Sequence, residues 1–324
     1  MRARFLIVAQ TGRDAAHFAS RTVAANLRVD ALTAEVARAF AAEGIECRLL
    51  KGAAVAAWLY SSEAPRSYSD SDLLVRPADH HSARAVLERL GFVPEVEEAR
   101  MPHWWREHAV GWLRPGDSAA IDIHRSLPGV EADDERLWEE LAGGARHIEV
   151  GGAQVGTLSL PGTALHVALH AAQHGPHWGG SVTVDLERAL DQADEATWRA
   201  AAELARRVEA TAAFATGLRV TTAGTELADR LGLPHERPAD VALRLGGAPP
   251  VALGFEQLAR ARTPRARLQI LAHKIVPPTT FMRAWFPPAA RSRWGLALAY
   301  LWRPLWLLGH APTGMRAWLR ARRG

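Results

Sequence analysis

The sequence contains a single cysteine, Cys47, among 324 residues. One thiol excludes an intramolecular disulfide and a zinc site built from cysteines, and it favours the reducing cytoplasm as the compartment. Long hydrophobic runs are also lacking. Phe5 to Ala9 is too short for a signal-peptide core, and Tyr300 to Leu308 is interrupted by Arg303 and Pro304. We therefore expect a cytoplasmic protein without a membrane span.

Three common nucleotide-binding signatures are missing as well. The chain has no G-x-x-x-x-G-K-[ST] loop, no G-x-G-x-x-G fingerprint and no H-R-D segment, which argues against P-loop, Rossmann and protein-kinase domains. Arginine and lysine exceed aspartate and glutamate by only 39 to 35. This small excess does not indicate nucleic acid as a partner, although it does not exclude one, and it is compatible with a small polyanionic substrate.

The length and the hydrophobic pattern indicate two lobes. A chain of 324 residues exceeds the size at which a single core stops growing. Residues 45–125 mix short apolar strands with helices, whereas the chain from residue 161 onward has helical periodicity almost throughout. We predict an α+β fold with a small mixed-sheet lobe followed by a mainly helical lobe. The predicted domains are an N-terminal extension (1–30), a core (31–150) and a helical C-terminal domain (151–324), with the boundary in the Gly-rich stretch 143–162.

The most informative segment is Asp70-Ser71-Asp72-Leu73-Leu74-Val75, which has the pattern of a buried strand. Because side chains alternate along a strand, Asp70 and Asp72 point the same way. Two neighbouring anions need a cation between them, and Mg²⁺ meets that need because it takes hard oxygen ligands and completes its shell with water and phosphate oxygens. The pattern predicts a magnesium site on this strand.

A third carboxylate, Asp122, lies between Ile121 and Ile123 in another apolar strand. Burying it is unfavourable unless it is paired or bound to a metal. Three carboxylates can hold two metal ions about 4 Å apart, the arrangement that stabilises attacking and leaving oxygens in an in-line displacement. Taken alone, a D-x-D pair is common and Asp122 fits a salt-bridged strand residue. The order of the segments favours a shared site.

Lys51 and Gly52 stand between a predicted strand, Ile45 to Leu50, and a predicted helix, Ala53 to Tyr60. Glycine allows close approach of the backbone to a ligand, and the free amides of a helix start attract phosphate. Lys51 adds a point charge to the same phosphates. These residues predict a phosphate-binding turn, with an ordinary turn as the alternative.

Together these segments resemble the uncharacterised nucleotidyltransferase family of the polymerase-beta-like superfamily. The resemblance runs from about residue 30 to 310 and is carried by Leu50-Lys51-Gly52, Arg66, Asp70 to Val75, Ile121 to His124, the His-rich helix from Leu165 onward and Asp185-Leu186.

The resemblance implies an enzyme that moves a nucleoside monophosphate from a nucleoside triphosphate, such as ATP, to a hydroxyl acceptor and releases pyrophosphate. Asp70 and Asp72 would hold the Mg²⁺ at the triphosphate, and Asp122 would complete a second metal site. The acceptor is unidentified: a peptide or natural-product hydroxyl, a small metabolite, a protein and an RNA end all stay open, and a peptide is the first to test.

The same resemblance assigns the groups around the phosphates. Lys51 and Arg66 would neutralise phosphate charge, and pyrophosphate would leave toward the Gly52 turn. His124, two residues beyond Asp122, would project from the same face into the site.

Two other functions stay open at this point. A non-catalytic nucleotide-binding regulator would keep the pocket, although the retention of three carboxylates argues against it. A zinc hydrolase is the less favoured alternative. His166, His170 and His174 recur every four residues and form a row on one helix face, but no glutamate stands between them as in H-E-x-x-H.

Overall fold

The computed structural model describes residues 2–95, 108–117, 119–174 and 180–323, with the side chains of 2–19, 180, 181, 245, 280 and 284 left out. Within these ranges the chain divides into two compact units. The sheet unit comprises residues 2–95, 108–117, 119–167 and 184–210, and the helical unit comprises residues 168–174, 180–183 and 211–323.

Seven strands belong to the sheet unit: β1 (Cys47–Leu49), β2 (Asp70–Val75), β3 (Val93–Pro94), β4 (Ala109–Leu113), β5 (Ala120–His124), β6 (Arg146–Val150) and β7 (Ala153–Thr157). They form one mixed sheet in the order β3-β4-β5-β2-β1-β7-β6. The β2–β5 and β1–β7 pairs are parallel, and the other four pairs are antiparallel. The predicted α+β class is confirmed.

The first seven helices are α1 (Arg2–Ala42), α2 (Ala53–Leu59), α3 (His80–Arg89), α4 (Asp134–Ala142), α5 (Leu160–His174), α6 (Gly180–Gln192) and α7 (Glu195–Arg207). The helical unit contains part of α5 and α6 and the next eight helices: α8 (Thr211–Leu218), α9 (Thr222–Arg230), α10 (Ala239–Leu245), α11 (Pro250–Arg260), α12 (Pro264–Ile275), α13 (Thr279–Trp285), α14 (Pro287–Arg291) and α15 (Arg293–Ala321).

One face of the sheet packs against α1 and α3. Its strand side chains form a single apolar cluster with Val36 and Phe40 of α1 and with Leu87 of α3. The strand residues in this cluster alternate along the chain and include Leu73, Val75, Ile121 and Ile123. Because side chains alternate across a strand, the intervening residues of β2 and β5 face the opposite side. The apolar face therefore fixes which face carries the polar groups.

Helix α1 is continuous across the boundary that was predicted at residue 30. Val29 and Leu32 on either side of that boundary are both buried in the sheet cluster. Asn26 and Asp30 bond to the segment before β2, as described below. The division into 1–30, 31–150 and 151–324 thus stays a prediction, but residues 26–30 pack as part of the sheet unit.

Two elements differ from the expectation drawn from the sequence. The Gly-rich stretch 143–162 contains the hairpin of β6 and β7, turned by Gly151 and Gly152, which both have positive φ. The sequence pattern also predicts one helix from Ala210 to Leu231, whereas the structure has two, α8 and α9, because the Thr221 side chain accepts a hydrogen bond from Gly224 N and caps a new helix. The same pattern predicts strands over Phe92 to Val96 and His103 to Leu113, which lie partly outside the described residues.

The part of the chain that the structure describes contains no helix that is both long and apolar enough to cross a bilayer. Helix α15, which holds the apolar run near residue 300, has two prolines inside it, Pro304 and Pro312.

Candidate active site

The parallel pairing of β2 and β5 places Asp72 beside Asp122. In this register Asp70 pairs with Ala120, Asp72 with Asp122 and Leu74 with His124. Both aspartates lie on the face opposite the apolar cluster, because Leu73, Ile121 and Ile123 occupy the other face. The carboxylates predicted from two distant segments are therefore neighbours across one strand pair.

Asp72 is the most buried acidic group of the site, at 1% exposure. Its Oδ1 lies 2.9 Å from His124 Nε2 and 3.2 Å from Lys51 Nζ. Its Oδ2 is buried and makes no hydrogen bond to any residue that the structure describes. Burial opposes the charge on Asp72, but the hydrogen bond from His124 and the charge of Lys51 outweigh it, so the pKa of Asp72 lies below its usual range.

The ammonium group of Lys51 lies within ion-pair distance of both carboxylates of β2, those of Asp70 and Asp72. Its Nζ is 3.5 Å from Asp70 Oδ2 as well as 3.2 Å from Asp72 Oδ1. Burial disfavours the ammonium, but the charges of Asp72 and Asp70 raise the pKa of Lys51 above its ordinary value. Lys51 is therefore a fixed cation beside both aspartates.

The pKa of Asp122 is shifted in the direction opposite to that of Asp72. Burial and the negative charge of Asp72 raise the pKa of Asp122 to about 6, although His124 and Lys51 oppose the rise. Two neighbouring carboxylates of this kind are difficult to ionise together unless a further cation joins them. The protein's own cations do not compensate Asp122 as they compensate Asp72.

The donor set fits a divalent cation. One oxygen or nitrogen from each of Asp72, Asp122 and His124 lies within 4.8 Å of the others, and this is the one such group of metal-ligand residues in the part of the chain that is described. Asp72 Oδ2 is a buried ligand atom without a hydrogen bond to the described residues. Carboxylate oxygens suit Mg²⁺, and His124 then fits better as the group that orients Asp72.

Glu95 is an acidic residue that the sequence reading missed. Its backbone N–H donates to Gly111 O at 2.8 Å, and Gly111 pairs with Asp122 across the next strand. A methyl group on Gly111 would overlap the Glu95 carboxylate and would lie 3.3 Å from Asp122 Oδ1. The missing side chain of Gly111 therefore leaves space for the Glu95 carboxylate on the side of β4 where Asp122 lies. A glycine inside a predicted strand was the available signal, since it marks a close approach.

Arg66 lies beside the site with its guanidinium bound to Asp185. Its Nε and Nη2 donate to the Asp185 carboxylate at 3.0 and 2.7 Å, and Tyr60 OH donates to the same carboxylate at 2.6 Å. Arg66 and Asp185 are 7% and 3% exposed. A bidentate, buried pair of this kind fixes the segment that leads into β2.

Helix α1 and the Gly52 turn hold the other side of that segment. Tyr68 OH donates to Asp30 Oδ1 at 2.8 Å, and Asn26 Nδ2 donates to Arg66 O at 2.7 Å. Gly52 begins α2 with φ 61° and ψ −119°, a conformation that favours glycine. The start of β2 is thus fixed from two directions, which sets the position of Asp70.

The histidine row does not supply the metal-ligand group found in the described residues. His166 is buried, and burial together with the charge of His124 lowers the pKa of His166 to about 3. His170 and His174 contact each other edge to face with ring centroids 4.4 Å apart. His177 lies outside the described residues. The residues that the structure brings together in the candidate site are therefore Asp70, Asp72, Asp122, Lys51 and His124, with Glu95 nearby.

The chain matches a family model and is similar to solved structures. A family model described as uncharacterised nucleotidyltransferase matches residues 10–223. No curated protein matches the chain. Among solved structures, the antibiotic-resistance factor ANT(2'')-Ia matches at 16% identity and a TM-score of 0.41, covering 56% of this chain and 93% of its own. A nucleotidyltransferase-like protein from Paracoccidioides brasiliensis matches at 13% identity and 0.36, with the same coverages.

Proposed function

Because the chain belongs to the uncharacterised nucleotidyltransferase family, and is a nucleotidyltransferase on that ground, we propose that it uses Mg²⁺ to move a nucleoside monophosphate from a nucleoside triphosphate to a hydroxyl acceptor. Pyrophosphate is the other product. The bond between the α-phosphorus and the bridging oxygen breaks as the acceptor oxygen bonds to the same phosphorus. We expect this reaction in the cytoplasm.

The observation that supports this proposal is the pairing of Asp72 with Asp122. Their carboxylates lie side by side, and the pKa of one is lowered while that of the other is raised. Two neighbouring carboxylates are unfavourable together unless a cation lies between them, and a divalent cation with oxygen ligands supplies that charge.

Each residue has a stated role in the proposal. Asp72 and Asp122 would hold the metal ions, and Asp70 at the more open end of β2 would share one of them. His124 would orient Asp72 through the bond from its Nε2. When bound, Mg²⁺ would neutralise phosphate charge and lower the pKa of the acceptor hydroxyl.

The cations and the turn would receive the triphosphate. Lys51, already next to Asp70 and Asp72, would add its charge to the phosphates, and the Gly52 turn would allow their close approach. Arg66 would hold the site through Asp185 and contribute positive charge near Asp70. The acceptor would be a peptide natural product or a small metabolite.

Label transfer tests the proposal directly. The protein is incubated with each α-labelled nucleoside triphosphate, Mg²⁺ and a cell extract, and the label is followed by chromatography. We expect label on a new species together with released pyrophosphate, and no transfer in the presence of a chelator. Binding of triphosphate without transfer for any base or extract would instead indicate the non-catalytic regulator.

A matched pair of variants controls the experiment. Asp72→Asn removes a proposed metal ligand, whereas Asp117→Asn removes an aspartate that is paired with Arg114 away from this site. Transfer that is lost in the first variant and kept in the second supports the proposal. Transfer that survives Asp72→Asn contradicts it.

A further inference from the structure

The charge of the chain is divided unevenly along the sequence. Residues 257–324 contain 13 arginines and lysines and no aspartate or glutamate, whereas residues 1–256 contain 26 basic and 35 acidic residues. The last 68 residues therefore carry a formal charge of +13 and the rest −9, which the net charge of +4 conceals. A segment with this much charge of one sign favours a polyanionic partner.

Helix α15 is apolar on two opposite faces. Its inner face, with Gly295, Ala299 and Gly314 buried, packs against α11 and α14. Its outer face exposes a stripe of large apolar side chains at intervals of three and four residues, which places them in line over four turns. The outer stripe is Trp294, Leu298, Leu301, Trp302, Leu305 and Leu308, exposed by 86, 55, 73, 46, 60 and 69%.

The outer stripe is too large to be ordinary surface. Large apolar side chains present on the order of 200 Å² each when fully exposed, so the six residues together expose on the order of 800 Å². The largest apolar patch on a typical monomer is roughly 300–600 Å². Exposed apolar patches above this size mark interaction sites, so the outer stripe needs an occupant.

Exposed arginines stand at both ends of the outer stripe. Arg291 and Arg293 precede it, and Arg316, Arg320 and Arg323 follow it, all of them exposed. The two tryptophans have an apolar ring with a polar N–H, the combination enriched at the boundary between lipid headgroups and acyl chains. The outer stripe, its two tryptophans and most of these exposed arginines thus lie along one helix.

We propose that the outer face of α15 docks on an anionic lipid bilayer, with the helix lying in the plane of the interface. The leucines and tryptophans would enter the acyl boundary, and the arginines would meet the lipid phosphates. The described helices include none that could span a bilayer, so the contact is with the surface.

Charge and apolar surface together favour this occupant over others. Nucleic acid offers phosphates but no apolar layer for the leucines. A second copy of this chain would bring one segment of charge +13 against another. An anionic bilayer supplies both negative charge and an apolar layer, and this inference is independent of the transfer reaction.

Vesicle co-sedimentation of the full chain tests the proposal. Vesicles of phosphatidylcholine with about 30% phosphatidylglycerol are compared with pure phosphatidylcholine at low and high salt. We expect at least tenfold stronger partitioning to the anionic vesicles, weakened as salt screens the arginines. Leu305→Glu should reduce partitioning at least tenfold. Leu27→Glu is the matched control, because Leu27 lies on α1 and is 61% exposed against 60% for Leu305.

Several results would overturn the proposal. Equal partitioning to both kinds of vesicle, or none, removes the anionic bilayer as the partner. An equal effect of Leu305→Glu and Leu27→Glu removes the outer stripe as the surface. A stable dimer that Leu305→Glu dissociates, or tight binding to nucleic acid without vesicle binding, assigns the face to another partner. Thermal unfolding of both variants checks that the fold is intact.

Discussion

Asp72 and Asp185 are two buried aspartates in the same unit, and they differ in how completely the surrounding residues bond to their carboxylates. Asp185 is bound by the Arg66 guanidinium and by Tyr60 OH. Asp72 receives His124 and Lys51 on Oδ1, leaves Oδ2 without a hydrogen bond among the described residues, and has Asp122 as its strand neighbour. A fully bonded carboxylate stabilises a fold, whereas an incompletely bonded pair of carboxylates is suited to bind a cation.

The largest expected effect comes from changing the carboxylates of the candidate metal site, which are incompletely bonded. In Asp72→Asn, Asp122→Asn and Asp70→Asn we expect transfer to fall by about 10³-fold or more, because a bound metal contributes several kcal/mol to the transition state. The melting temperature should change little in Asp122→Asn, because the pKa of Asp122 is raised and the substitution removes repulsion between carboxylates. It should fall in Asp72→Asn, because Asp72 is bound by His124 and Lys51. Steady-state transfer and thermal unfolding measure the two effects. Full activity in any one of these variants removes that residue from the site.

Asp185→Asn should give the reverse result. Removing one partner of a buried ion pair costs about 3–5 kcal/mol, because Arg66 is left charged and uncompensated. At about 2–4 °C per kcal/mol for a large domain, the melting temperature should fall by about 6–20 °C. Activity per folded molecule, measured well below that temperature, should fall less than tenfold. A loss comparable to that of Asp72→Asn would place Asp185 in the chemistry instead.

The raised pKa of Asp122 predicts a pH dependence of stability in the absence of metal. Its folded pKa of about 6 exceeds an unfolded value of about 3.9, so its favourable contribution is present below pH 4 and is lost as pH rises through 6. In the presence of a chelator, the free energy of unfolding of the wild type should fall by on the order of 2–3 kcal/mol relative to that of Asp122→Asn as the pH rises from about 4 to above 6.

Thermal unfolding against pH measures this loss, and Mg²⁺ at pH 7.5 should restore stability to the wild type alone. Parallel pH profiles of the two proteins would show that burial and Asp72 do not raise the pKa of Asp122 in the folded protein.

Gly111→Ala gives the smallest expected effect. The added methyl group would overlap the Glu95 carboxylate, which must then move away from the side of β4 where Asp122 lies. Glu95→Gln removes the charge of this carboxylate without adding a methyl group. We expect each variant to lower kcat/KM about tenfold, about 1.4 kcal/mol. The double variant should be no worse than Gly111→Ala alone, because both changes remove one interaction. Additive losses would mean that Gly111 acts without Glu95.

The features of the site that depend on residues close together along the chain could be predicted from the sequence. The two-residue spacing of Asp70 and Asp72 predicts a common side, and the glycine between strand and helix is present at Gly52 with its positive φ. The hairpin of β6 and β7 was missed, although Gly151-Gly152 between two β-rich segments is a known turn signal.

The long-range parts were not readable in the same way. The pairing of Asp72 with Asp122 depends on β5 lying next to β2, which is a property of the whole sheet. Arg66 was predicted to meet phosphate, and its partner Asp185 is 119 residues away along the chain. Spacing along a strand fixes direction, but it does not say which distant side chain is the neighbour.

Manganese binding followed by electron paramagnetic resonance tests the central claim most directly, because Mn²⁺ takes the oxygen ligands that suit Mg²⁺. We predict that the wild type binds Mn²⁺ and that Asp122→Asn weakens this binding at least tenfold, while Asp117→Asn leaves it unchanged. Equal Mn²⁺ affinity in the wild type and Asp122→Asn would contradict a metal site shared by the carboxylates of β2 and β5.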